Sequence, residues 1–182
     1  MTGLRLLFFL LFSVYSYASV SAQIRPNKPA VAKSANAQDA EISNIRNLYN
    51  QINASTLKKE KFNYEASGCV EEGEVIYFMN GKTIVKITES GSIGDGSWKS
   101  EYYYQSGKVI FYFESMTGGP AIGKVTKTER RVYIENDRPI RNMENKKIIK
   151  VDARSAEVIQ TAYKLLIAYQ TKDFAAALCN PN

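Results

Sequence analysis

Three stretches of the chain repeat one pattern: Tyr77-Phe-Met-Asn-Gly-Lys-Thr-Ile84, Tyr103-Tyr-Gln-Ser-Gly-Lys-Val-Ile110 and Tyr133-Ile-Glu-Asn-Asp-Arg-Pro-Ile140. The first two join a β-branched and aromatic run to a second run through a two-residue turn (Asn80-Gly81, Ser106-Gly107), and the third is a degraded copy of the same pattern. A turn dipeptide that tolerates positive φ, flanked by such runs, is a strong local signal for an antiparallel hairpin. A chain built on three of these has little choice but a β-meander. Gly118 to Lys124 nearly spells a phosphate-binding loop. Val125 stands where that loop needs Ser or Thr, and a strand follows instead of a helix, so it joins two hairpins.

Periodicity at the two ends is helical. Ile42, Ile45, Leu48, Tyr49 and Ile52 form one stripe in residues 38–55, and Val158, Ile159, Ala162, Tyr163, Leu165, Leu166 and Tyr169 form a broader one, with Ser155 as its expected N-cap. Between them the sheet is expected to start near Lys61 and to hold about seven strands. The fold class is therefore α+β: an antiparallel β-meander flanked by an N-terminal and a C-terminal helix, with the helices on one face of the sheet. Simple alternation places Val85 with Ile87. It places Trp98, Ser100, Tyr102 and Tyr104 on one side of their strand, and on the next strand it separates Val109, Phe111 and Phe113 from Ile110 and Tyr112.

Residues 1–22 have the layout of a signal peptide: Arg5, an apolar run from Leu6, and Val20-Ser21-Ala22 before the expected cleavage. That run is short for a membrane span and no second one follows. The absence of a cysteine at the cleavage point argues against a lipoprotein. Residues 23–37 are expected to be a flexible leader and 38–182 a single domain. The Asn53-Ala54-Ser55 sequon carries no weight here, because the export signal has a bacterial cast.

The chain has no histidine, which removes Ser–His and Cys–His nucleophile pairs and most zinc sites. No metal or cofactor is expected. The two cysteines, Cys69 and Cys179, suit a disulfide in an exported protein. Carboxylate catalysis would draw on Glu71, Glu72 and Glu74, clustered at a turn, and Glu101; turn carboxylates are ordinarily solvated.

Two surfaces are candidates for a partner. One is the aromatic group Trp98, Tyr102, Tyr104 and Tyr112, which is either core or an exposed platform. The other is the basic last hairpin: residues 124–154 hold ten Lys and Arg against five Asp and Glu, with Arg130 and Arg131 at its centre. Basic charge there also protects a sheet edge. The helix Ile45-Arg-Asn-Leu-Tyr-Asn-Gln-Ile-Asn53, followed by Tyr-Phe-x-Asn-Gly-Lys hairpins, resembles a group of uncharacterised exported bacterial proteins over about residues 42–143. The hairpins are also similar in outline to MORN-type repeats, from whose glycine spacing they depart. Neither resemblance implies an activity or a site. The expectation is a non-catalytic binding domain for a protein or polysaccharide of the cell envelope, inhibitor-like or immunity-like, with nucleic acid excluded by export. The alternative is a carboxylate-dependent hydrolase of envelope glycans.

Overall fold

The structure, a computed structural model, describes residues 30–119 and 122–179, with side chains from residue 36 onward. The expected signal peptide and the first part of the leader lie outside the described residues. The elements run α1 (Ala30–Ala54), β1 (Lys58–Ala66), β2 (Val70–Asn80), β3 (Thr83–Ile93), β4 (Gly96–Gln105), β5 (Lys108–Gly118), β6 (Thr126–Glu135), β7 (Arg138–Glu144), β8 (Lys147–Ile149), α2 (Ala153–Thr171) and α3 (Phe174–Cys179). The strands form one antiparallel sheet in sequence order. The α+β meander is thus as expected, with one more strand. β8 is three residues long and follows a tight turn in which Asn145 and Lys146 both have positive φ. α1 begins at Ala30 rather than near residue 38. Ala30, Ala32, Ala35, Ala37 and Ala40 give that stretch high helix propensity, which the prolines before it had obscured. Among the described residues no helix is long and apolar enough to cross a membrane.

Each of the three hairpins carries one extra residue just after its turn. Phe78 pairs with Lys86 but Met79 with Ile84, leaving Val85 over. Tyr103 pairs with Phe111 but Tyr104 with Val109, leaving Ile110 over. Tyr133 pairs with Arg141 but Ile134 with Pro139, leaving Ile140 over. These are β-bulges, and beyond each one the side-chain parity reverses. Simple alternation therefore fails here. Val109 and Tyr112 share one face of β5, while Phe111 and Phe113 share the other. In the first hairpin the unpaired loop residues are Gly81 and Lys82, one position later than the dipeptide suggested.

The bulges leave both faces of the sheet apolar, and the helices cover both rather than one. On the first face Val75, Tyr77, Ile87, Tyr104 and Val132 pack against Val158, Ala162 and Leu165 of α2 and Phe174 of α3. The phenols there find backbone acceptors in α2: the Tyr77 hydroxyl donates to the Leu165 carbonyl at 2.7 Å and that of Tyr104 to Ala162 at 2.8 Å. On the second face Ile42 and Ile45 of α1 pack against Tyr103, Phe111 and Tyr133. A buried network pins the end of α1: Lys86 bridges the Asn53 side chain (2.9 Å) and the Glu101 carboxylate (2.9 Å), and Tyr103 donates to Glu101.

The cap of α2 is Asp152, not Ser155. Asp152 accepts from the Ser155 backbone N–H at 3.1 Å, while Ser155 sits fully buried at the third helical position. Asp152 also meets the buried guanidinium of Arg130 at 2.5 Å. These bonds, that of Arg130 foremost, hold its carboxyl well below the ordinary 3.8. The Cys69–Cys179 disulfide closes 110 residues of chain and ties α3 to the β1–β2 turn.

Reducing the disulfide, or replacing both cysteines with serine, is expected to cost about 4–5 kcal/mol in the chain-entropy picture, read as a lower urea midpoint. A group with a depressed folded pKa contributes stability above its unfolded pKa and loses it as pH falls through the folded value. Stability of the wild type should therefore decline below about pH 4, and less steeply in Asp152→Asn. Asp152→Ala should cost about 2–3 kcal/mol at pH 7. That figure is discounted for the 45% exposure of the Asp152 side chain and combines a lost cap with a stranded Arg130.

Candidate functional site

The structure divides the expected partner-binding residues. Tyr102, Tyr104 and Tyr112 are 4%, 1% and 3% exposed and belong to the core beneath α2, so they form no platform. Their strands are central, and a central sheet face with phenols at this spacing needs a cover, which α2 supplies. Arg130 is also no surface residue. It shares the α2 face with Val132 and is 4% exposed; its Nη2 meets Asp152 and, at 3.3 Å, the Ser155 hydroxyl, while its Nε is buried without a hydrogen-bond partner. Trp98 and Arg131 remain partly exposed, on opposite faces of the sheet. The acids proposed for catalysis do not converge. Glu74 pairs with Lys61, Glu71 accepts from the Gly94 N–H, Glu72 is exposed and Glu101 is locked to Lys86 and Lys99.

Arg131 joins a different set of aromatics from those the sequence singled out. Between α1 and the sheet lies a cavity of about 310 Å³. Ile45, Arg46, Tyr49 and Asn50 of α1 form one wall, and Phe111, Phe113, Arg131 and Tyr133 of β5 and β6 form the other. The α1 residues point there because positions 45, 46, 49 and 50 share one side of a helix. The sheet residues point there because the bulge at Ile110 puts Phe111 and Phe113 on the α1 face. Arg131 lies 4.9 Å from the Phe113 ring centroid and donates to Glu129 at 2.8 Å, while its Nη1 is buried with no hydrogen-bond partner. Arg46 stands 5.6 Å from the Tyr133 centroid and donates through Nε to the Tyr133 hydroxyl at 3.3 Å. Two guanidiniums thus face a cavity whose lining holds no carboxylate.

A second cavity, about 270 Å³, opens on the other face between the sheet, α2 and α3. Glu89 lies at its base, 4% exposed. Trp98 donates its indole N–H to both carboxylate oxygens, at 2.8 and 3.0 Å, and the Tyr64 hydroxyl donates at 2.8 Å. Burial pushes the Glu89 carboxyl up from its ordinary value against these bonds. Glu114, two strands away, pairs with Arg154 at 2.6 Å. The aromatic rings lie where glycines make room: a Cβ at Gly91 would meet the Trp98 ring at 2.5 Å, and one at Gly73 the Tyr64 ring at 2.4 Å. Sequence reasoning missed Glu89. The signal was present, since it lies two positions past Ile87 on the same face, where a carboxylate must point inward.

No protein-family model, curated protein or solved structure matches the chain.

Gly91→Ala should displace the Trp98 ring from Glu89. The expected result is a loss of about 1–3 kcal/mol with a shifted tryptophan emission, against little change for Ser92→Ala, its half-buried neighbour on the other face.

Proposed function

We propose that the chain is an exported, non-catalytic binding domain that holds an anionic group of a protein or polysaccharide partner between α1 and the sheet. One observation carries this reading: Arg131 buries a guanidinium nitrogen without an acceptor, beside Arg46, in a cavity walled by aromatic rings. A buried donor left unpaired costs about 1–3 kcal/mol; after a small rotation of the guanidinium, whose Nη1 is closed to solvent, a carboxylate or phosphate oxygen in the cavity would recover it as a charge-assisted bond. The rings would contact the apolar part of the same ligand. The groove lies between a helix and a rigid sheet, so the contact residues are held before the partner arrives. The lack of histidine supports a role without catalysis, and the sequence of residues 1–22 supports export.

A second reading, hydrolysis by a carboxylate pair, is favoured by Glu89 and Glu114 lining one cavity. The donors already fixed on both oxygens of Glu89 weigh against it, because an acid catalyst must present its proton to the substrate.

The test is capture with the tagged full chain, cross-linked in its native envelope without reductant. An acidic partner should be recovered, and recovery should fall with added salt. Arg46→Ala and Arg131→Ala should each weaken binding about tenfold, roughly 1.4 kcal/mol, while Lys124→Ala should not. Undiminished capture by the Arg46→Ala/Arg131→Ala double variant would overturn the proposal.

A further inference from the structure

The cavity on the α2 face is chemically the opposite of the α1 groove. At its base is a carboxyl that is almost wholly buried and receives only neutral donors: Trp98, Tyr64 and Ser100. The charged group facing it is a second carboxyl, Glu114, whose own partner Arg154 stands on α2 with its side chain 45% exposed. Aromatic surface surrounds both: Trp98 and Tyr64 on one side, Tyr102 and Tyr112 on the other. Met116, 40% exposed, stands at the mouth, and Leu178 of the disulfide-tethered α3 forms a wall.

From this we infer that the cavity is a binding site for an organic ammonium group, with the Trp98 ring and the Glu89 carboxylate as its recognition pair. A buried carboxylate without a counter-charge is costly, and a cation seated beside it supplies that charge. Trp is the strongest of the aromatic faces for a cation, and a desolvated contact gains most. The indole is held ready for this role: its N–H is committed to Glu89, and the missing Cβ of Gly91 lets the ring settle against the strand. The lining selects against other ligands. Two carboxyls repel an anion. Among the described residues no group of three or more His, Cys, Asp and Glu is placed to hold a metal ion. A neutral sugar would stack on Trp98 but would leave Glu89 uncompensated.

Trp98 is the only tryptophan in the chain, but it also lines an open pocket with Glu65, Glu72 and Glu74, so a Glu72→Gln control, expected to bind choline normally, keeps the readout on this cavity. The full chain is titrated with choline and, separately, with its neutral carbon isostere 3,3-dimethylbutan-1-ol. Choline should give a saturable change in emission, and the alcohol should bind at least about tenfold more weakly. Glu89→Gln keeps an acceptor for the indole and should lose about tenfold in choline affinity with unchanged circular dichroism. Should that variant fail to fold, the two ligands on the wild type decide the question. The Arg46→Ala/Arg131→Ala double variant should bind choline normally, which separates this site from the α1 groove. Equal binding of the alcohol, no saturable response to choline at millimolar concentration, or undiminished binding by folded Glu89→Gln would each overturn the inference.

Discussion

One extra residue per hairpin governs the architecture. Val85, Ile110 and Ile140 occupy the same place in the three repeated hairpins, immediately beyond the second paired residue of the return strand. Because strand side chains alternate, an inserted residue transfers everything after it to the other face. On β5 the residues past Ile110 therefore change face: Phe111 and Phe113 join Tyr103 and Tyr133 under α1, while Tyr112 joins Tyr104 and Ile134 under α2. With both faces apolar, a sheet covered on one side only would leave Phe111 and its neighbours in water. The second helix is a requirement of the first bulge pattern. Both cavities inherit their walls from it, since Phe111 and Phe113 would line the opposite face in an unbulged strand.

Ionic anchors at the ends of the two helices complete the arrangement. The N-terminus of α2 stands over a buried polar group in which Arg130 meets Asp152 and Asn142 donates to the Ser155 hydroxyl at 2.7 Å. The last turn of α1 is held by Asn53, Lys86, Glu101 and Tyr103. Burying such charges gains little net stability over apolar packing, yet breaking one partnership leaves the other charge stranded. Each helix can therefore occupy one position without penalty. That position for α1 places Arg46 and Asn50 over the β5–β6 aromatics, and that for α2 places Arg154 against Glu114.

The sequence disclosed the local elements well and their faces poorly. The hairpins were legible because tight turns demand particular dipeptides, and the helical stripes because Ile42 to Ile52 and Val158 to Tyr169 repeat at three and four. The cysteine pairing was legible from the count and the expected compartment. The bulges were not, because Val85, Ile110 and Ile140 are ordinary strand residues whose surplus shows only in the pairing. Every later error of placement follows from them or from parity. Arg130 and Arg131 must face opposite ways, and nothing local to the pair says which is inside. Trp98, Tyr102, Tyr104 and Tyr112 were rightly grouped on one side, but a helix fifty residues on decides whether that side sees water. Asp152 outcompetes Ser155 as the cap because it also meets Arg130, a partner from a distant strand. The α1 groove could not be foreseen for the same reason, since its two arginines are 85 positions apart.

The division of the sheet into two buried faces is open to a single direct measurement, the alkaline titration of tyrosine absorbance. Burial pushes the phenols of Tyr77, Tyr102, Tyr103, Tyr104 and Tyr112 upward, on the α1 face as well as the α2 face. These groups should stay protonated through the ordinary tyrosine range near pH 10 and ionise together only as the chain unfolds. Tyr103→Phe and Tyr104→Phe, one on each face, should each reduce the late step and leave the early one intact. A single reversible step near pH 10 that takes in the whole absorbance change would contradict the two-faced core.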